Sequence, residues 1–175
     1  MDLYRPVNNL RSTELTLVRT GFWNPEYLLT DGQFEYGKLS RVSFSSSEKV
    51  IEIANNTYTM RKAGTFSKEM LILRNGEVIG KTTRNAWKCI TTIELNDGFT
   101  ASFVKTPGRG IFSTKMSWIA NGVELMMIHC KSSYSKPMTI SVIDQNLIKQ
   151  GDRLLLLAFI GAHIRLVRQA QAAAN

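Results

Sequence analysis

Residues 153–169, RLLLLAFIGAHIRLVRQ, restrict the fold more than any other stretch. A helix drawn through Leu154–Ile164 is apolar on every side except at His163. Asp152 stands where an N-cap belongs, and Arg165 and Arg168 suit the negative end of a helix dipole. A helix that is apolar all round is buried, in protein or in lipid. Length decides against lipid, because Leu154 to Val167 covers about 21 Å where a hydrocarbon core is about 30 Å thick. His163 and Arg165 also fall inside that span. A helix lying flat on a membrane needs a polar face, and residues 154–162 have none. The remaining place is the middle of a protein core, so the sequence predicts a central helix over 152–168. Gly161 costs a helix interior about 1 kcal/mol relative to Ala, which close packing against Gly161, Ala158 and Ala162 would explain.

The rest of the chain supplies walls. In IEIANNTYTM, Asn55-Asn56 separates two alternating runs, pairing Ile53 with Tyr58 and Ile51 with Met60. MLILRNGEVIGKT turns at Asn75-Gly76, pairing Leu73 with Val78, Arg74 with Glu77 and Leu71 with Gly80. TTIELNDGFTASF turns through Asn96-Asp97-Gly98 and gathers Ile93, Leu95, Phe99, Ala101 and Phe103 on one face. KMSWIANGVELMM turns at Asn121-Gly122 and gathers Met116, Trp118, Leu125 and Met127, leaving Ile119 and Met126 outside. In each hairpin the turn residues and the period-2 alternation agree independently. Further strands are expected near 26–29, 33–36, 40–45 and 138–143, and STELTLVRT reads as a strand or a short helix begun by Ser12. Regular turns of this kind predict a mainly β fold: a closed antiparallel barrel of roughly 10–12 strands with the apolar helix through its centre. Gly80, on an inward face, is the small position expected to match the helix. The expected division is an N-terminal segment 1–24, a barrel 25–170 and a frayed tail 171–175.

NTYTMRKAGTFSKEMLILRNGEVIGKTT, ITTIELNDGFTASF and LLLLAFIGAHIRLV together resemble the strand pairs and central helix of the tubby-like barrel group. That group comprises the tubby C-terminal domain, the LURP-one-related proteins and the phospholipid scramblases, with small bacterial members nearest to this pattern. The resemblance covers roughly residues 25–168. It implies binding of anionic lipid headgroups by basic residues on neighbouring strands, here Arg61, Lys62, Lys68, Arg74, Lys81, Arg84 and Lys88. The cysteine-rich and calcium-binding segments of the scramblases have no counterpart here, so the resemblance does not imply scramblase activity.

The net charge of +8 points to anionic partners. Its basic residues are scattered, without the block that marks a nucleic-acid arm. Aromatics are 9% of the chain and fall mostly on predicted inward faces, which argues against a base-stacking platform. The opening MDLYRPVNN lacks the pattern of a secretory signal. Cys89 and Cys130 are therefore expected as buried free thiols in a cytoplasmic protein, peripheral to a membrane if it meets one.

Catalytic patterns are missing. The two histidines are His129 and His163. Adjacent His129 and Cys130 point to opposite faces of a strand and cannot share a metal. His163 is expected near the helix end with a hydrogen-bond partner. Glu35, Glu52, Glu77, Glu94 and Glu124 form no paired motif, and Ser45-Ser46-Ser47 lacks a nucleophile elbow. No cofactor or metal is expected. KTPGRGIFSTK, residues 105–115, sets Lys105, Arg109 and Lys115 around glycine and proline. It is a strand connection by its turn chemistry, and a candidate cradle for a phosphate or carboxylate by its charge. The expectation is a non-enzymatic module that binds an anionic ligand or phospholipid surface through Arg61, Lys62, Lys81, Arg84, Lys105, Arg109 and Lys115. The alternative is a protein-interaction or scaffold domain using outward Ile119 and Met126.

Overall fold

The computed structural model describes residues 4–7, 10, 12–43, 47–85, 87–106, 114–130 and 137–174. Twelve strands form one closed antiparallel barrel. They are β1 (Glu14–Thr20), β2 (Glu26–Thr30), β3 (Glu35–Arg41), β4 (Lys49–Ile53), β5 (Thr57–Lys62), β6 (Glu69–Arg74), β7 (Glu77–Asn85), β8 (Ile90–Leu95), β9 (Thr100–Thr106), β10 (Thr114–Ala120), β11 (Val123–Cys130) and β12 (Met138–Val142). Each strand pairs with its neighbours in sequence, and β1 closes the ring on β12. A 3-10 turn (Gln145–Gln150) then leads into helix α1 (Asp152–Ala173).

The turns act as their residues dictate. Asn75 and Gly76 take φ of 50° and 91°, and Asn121 and Gly122 take 50° and 78°, the left-handed pair of a type I′ hairpin. STELTLVRT is strand β1, with Ser12 Oγ accepting from the Glu14 amide. The strands expected near 33–36 and 40–45 both fall in part on β3, and residues 44–46 lie outside the described residues.

Three registers differ from expectation. The β4–β5 turn sits one residue earlier, so Ile51 faces Tyr58 and Lys49 faces Met60. The shift is even across the pair, and Ile51, Ile53, Tyr58 and Met60 all remain buried. A bulge between Ile72 and Leu73 puts Gly80 opposite Ile72 instead of Leu71. A second bulge, between Trp118 and Ile119, turns Met126, Ile128 and Cys130 inward and leaves Met127 half-exposed. The outward patch expected from Ile119 and Met126 is therefore not formed, because Met126 is fully buried. Barrel walls bend, and bulges are where they do so.

Helix α1 fills the interior. Every residue from Leu154 to Ile160 is at most 3% exposed. Opposite walls reach it: the Trp118 indole N–H on β10 donates to the Leu157 carbonyl at 2.8 Å, while Phe159 packs against Gly37 on β3. A Cβ on Gly161 would lie 2.6 Å from Ile128 Cδ1 and 2.8 Å from Trp118 Nε1. The bare helix surface at Gly161 is what lets the indole reach the backbone one turn earlier. Gly80 serves a different end from the one expected. Its hypothetical Cβ meets the Glu94 carbonyl and Leu95 of β8, so it admits a neighbouring strand, not the helix.

The two glycines should respond unequally to alanine. At Gly80 the obstacle is backbone, which cannot rotate away, and Gly80→Ala is expected to cost about 3 kcal/mol or more. At Gly161 the obstacles are side-chain ends, and the gain in helix propensity offsets about 1 kcal/mol, leaving a net loss of about 1–2 kcal/mol. Urea unfolding of both variants checks the order; a Gly161→Ala loss exceeding that of Gly80→Ala would contradict the packing described.

The helix is tied down where it begins, an end here termed the foot. Asp152 does not cap the helix: Gly151 occupies the N-cap with φ of 43°, and the Asp152 carboxylate accepts from Asn56 Nδ2 and Tyr58 OH. Burial and that carboxylate push the Tyr58 phenol up to about 12. Arg153 pairs with Asp97 and lies 4.6 Å over the Phe99 ring. Tyr4, Val7 and Leu147 are buried as well. No helix among the described residues is long and apolar enough to cross a membrane.

Candidate anion-binding crown

Strands alternate in direction, so the odd-to-even connections β1–β2, β3–β4, β5–β6, β7–β8, β9–β10 and β11–β12 all lie at the end opposite the foot. Helix α1 emerges there, with Arg168 Nη2 donating to the Cys89 carbonyl at 2.8 Å and Gln169 reaching Cys130. This end, the crown, collects cations. Arg61, Lys62 and Lys68 flank the β5–β6 connection, Arg41 and Lys49 the β3–β4 connection, and Arg84 and Lys88 the β7–β8 connection. Lys105 lies one residue from the end of β9 and Lys115 one residue into β10.

Of the residues expected from sequence, Arg61, Lys62, Arg84, Lys105 and Lys115 share the crown. Arg61, Lys62 and Lys105 are exposed, and Lys115 is half-buried. Lys81 sits lower on the wall, paired with Glu69 at 2.9 Å. Arg109 lies outside the described residues, as does most of the 105–115 loop. Arg84 Nη1 donates to Gln171 on the helix at 3.3 Å, while its Nε is buried without a hydrogen bond.

Crown carboxylates among the described residues are Glu26, Glu48 and Glu69. Two of them are taken by lysines of the wall, Glu26 by Lys38 and Glu69 by Lys81. No carboxylate among the described residues pairs with Arg61, Lys62, Lys105 or Lys115. The foot carries the opposite balance, with Asp31, Glu35, Glu77, Asp97, Glu124 and Asp144 around Arg5, Arg74, Lys149 and Arg153.

Two arginines of the helix join the crown, beyond the dipole role expected of them. Arg165 is 9% exposed, and Arg168 lies close enough to both it and Arg84 to feel their charge. Burial first, then the charges of Arg84 and Arg165, push the Arg168 guanidinium down from its ordinary value. Such crowding of like charge favours an incoming anion. The signal that would have found them is the helix direction: an even number of strands before it returns its C-terminus to the odd-to-even end.

His163 faces this charge too. Burial, then Lys49 and Arg41, lower it from 6.5 to about 4. Burial and Arg41 bring Lys49 itself down to about 8. His163 is thus a histidine held towards its neutral form beside cations. Between about pH 6.5 and pH 4 the unfolded chain binds a proton there that the folded chain refuses. Stability is full above pH 6.5 and falls as the pH drops towards 4, by up to about 3 kcal/mol. Urea midpoints across that range should show the fall, and His163→Gln should flatten it; an unchanged slope would remove His163 as the cause.

Other exposed groups at the crown were not foreseen. Phe22 and Trp23 are each 83% exposed, Phe66 is 98% and Trp87 is 99%. Cys89 is also exposed, contrary to expectation, whereas Cys130 is buried as expected; neither is in a disulfide. Among the described residues no three His, Cys, Asp or Glu side chains group closely enough to hold a metal. Comparison with known families, with curated proteins and with solved structures finds no match to this chain, so the fold and the crown rest on their own geometry.

Proposed function

We propose that the chain is a non-enzymatic binding module whose crown recognises an anionic surface, that of phospholipid headgroups at a membrane face. The observation that carries this reading is the separation of charge along the barrel axis. Among the described residues Arg61, Lys62, Lys105 and Lys115 stand at one end without a carboxylate partner, and most carboxylates gather at the other. A helix buried in the barrel interior occupies the space where a barrel would hold a ligand, which favours binding at the exterior. The architecture, a closed barrel around a C-terminal helix, supports placing the chain beside the tubby-like barrel group, and fold likeness alone transfers no function.

Cosedimentation with vesicles tests the reading. Vesicles containing phosphatidylserine should retain the protein at low salt, vesicles of phosphatidylcholine alone should not, and binding should weaken as salt screens the crown. Equal binding to both compositions, or to neither, would overturn it.

A further inference from the structure

We infer that the crown does not rest on the headgroups but inserts its loop tips, so that Phe22, Trp23, Phe66 and Trp87 enter the bilayer interface and the barrel stands end-on. This inference rests on the reading that the crown meets an anionic membrane.

The tips have no structural task in the fold. Phe66 and Trp87 are almost wholly exposed, and Phe22 and Trp23 touch chiefly each other, edge to face at 5.6 Å. They lie on the β1–β2, β5–β6 and β7–β8 connections, and the intervening β3–β4 connection exposes Val42 at 55%. Four successive connections of one arc therefore each present a large apolar side chain. Among the described residues the foot exposes the large apolar side chains of Val78, Val123 and Ile143, and no aromatic ring to a comparable degree. Large apolar side chains in water are unremarkable singly, but their collection at one end is not.

Cations alternate with these tips: Arg41 and Lys49, then Arg61, Lys62 and Lys68, then Lys88. Aromatic rings beside lysine and arginine match the headgroup level of a bilayer, where the ring enters and the charge stays with the phosphates. The tips sit on separate connections and make no continuous patch. A protein partner would need a separate pocket for each, whereas a bilayer receives all of them without shape matching.

The chain's tryptophans provide the test. Trp23 and Trp87 are exposed at the crown, and Trp118 is fully buried against the helix. The full chain would be mixed with phosphatidylcholine–phosphatidylserine vesicles whose acyl chains carry bromine at a shallow position. Emission of Trp23 and Trp87 should shift to the blue and be quenched, while Trp118, isolated in a Trp23→Phe/Trp87→Phe variant, should stay unquenched. Trp87→Ala should weaken vesicle binding about tenfold, with a salt-resistant part of the binding lost. Because residue 87 packs on nothing, this variant should keep the unfolding midpoint of the parent chain. Binding to vesicles without quenching would overturn insertion and leave the electrostatic reading standing. No binding to vesicles would overturn both. Quenching by single-stranded oligonucleotides in place of vesicles would replace the membrane with a nucleic acid.

Discussion

Phe159→Ala is expected to lower the unfolding free energy by about 3–5 kcal/mol, the range for deleting a buried phenyl ring. Phe159 is wholly buried at the middle of α1 and meets the β3 wall at Gly37. The cavity it leaves cannot collapse easily. Gly37 has no side chain to swing inward, and the closed hydrogen-bonded ring resists narrowing at one point. The loss should therefore lie at the upper end of the range. Chemical denaturation followed by circular dichroism measures it; a loss below about 1 kcal/mol would show that the helix is not the core of the barrel.

Reversing charge at Arg61 and Lys62 together is expected to lower affinity for phosphatidylserine vesicles about a thousandfold. Each basic residue near an anionic surface contributes about 1 kcal/mol, and exchange for Glu adds a repulsion of similar size, giving about 4 kcal/mol in all. Both side chains are exposed at the end of β5, so folding should be unaffected. The matching control is Lys149→Glu, an exposed cation at the foot, which should leave vesicle affinity unchanged. Equal losses from the crown and foot variants would mean that net charge, not the crown, governs binding. The comparison is best made at low ionic strength, where exposed charges are least screened.

Much of the barrel was legible because local chemistry and period agreed. Asn75-Gly76 and Asn121-Gly122 have one natural turn type, and the alternation around them assigns faces. The all-apolar run 154–162 admits no position outside a core. What escaped was whatever the ring imposes as a whole. The bulges after Ile72 and Trp118 respond to wall curvature, which no single hairpin records, and the second exchanged Met127 for Met126 on the inner face. Phe22, Trp23, Phe66 and Trp87 escaped for another reason. Apolar residues are assigned inward by default, and only the shared direction of their connections reveals them as a group. Their turn-rich flanks, Gly21 and Asn24-Pro25 beside one pair and Gly64-Thr65 beside Phe66, were the local hint that they lie off any strand period. Arg61, Lys62, Lys105 and Lys115 could be named from the sequence one by one, while the placement of Arg165 and Arg168 at the same end needed the helix axis.

The helix that every strand needs comes after all of them in the chain. While a ribosome is still making residues 1–151, the strands have turns and registers but nothing to close around, and β1 waits for β12 to be its partner. An empty ring of apolar inner faces has no reason to persist in water. Assembly must therefore be deferred until α1 has been synthesised, and then proceed over contacts spanning most of the sequence, a slow and aggregation-exposed route. For this protein, birth of the chain and birth of the fold are separate events, and a nascent-chain chaperone has its longest opportunity in the interval between them.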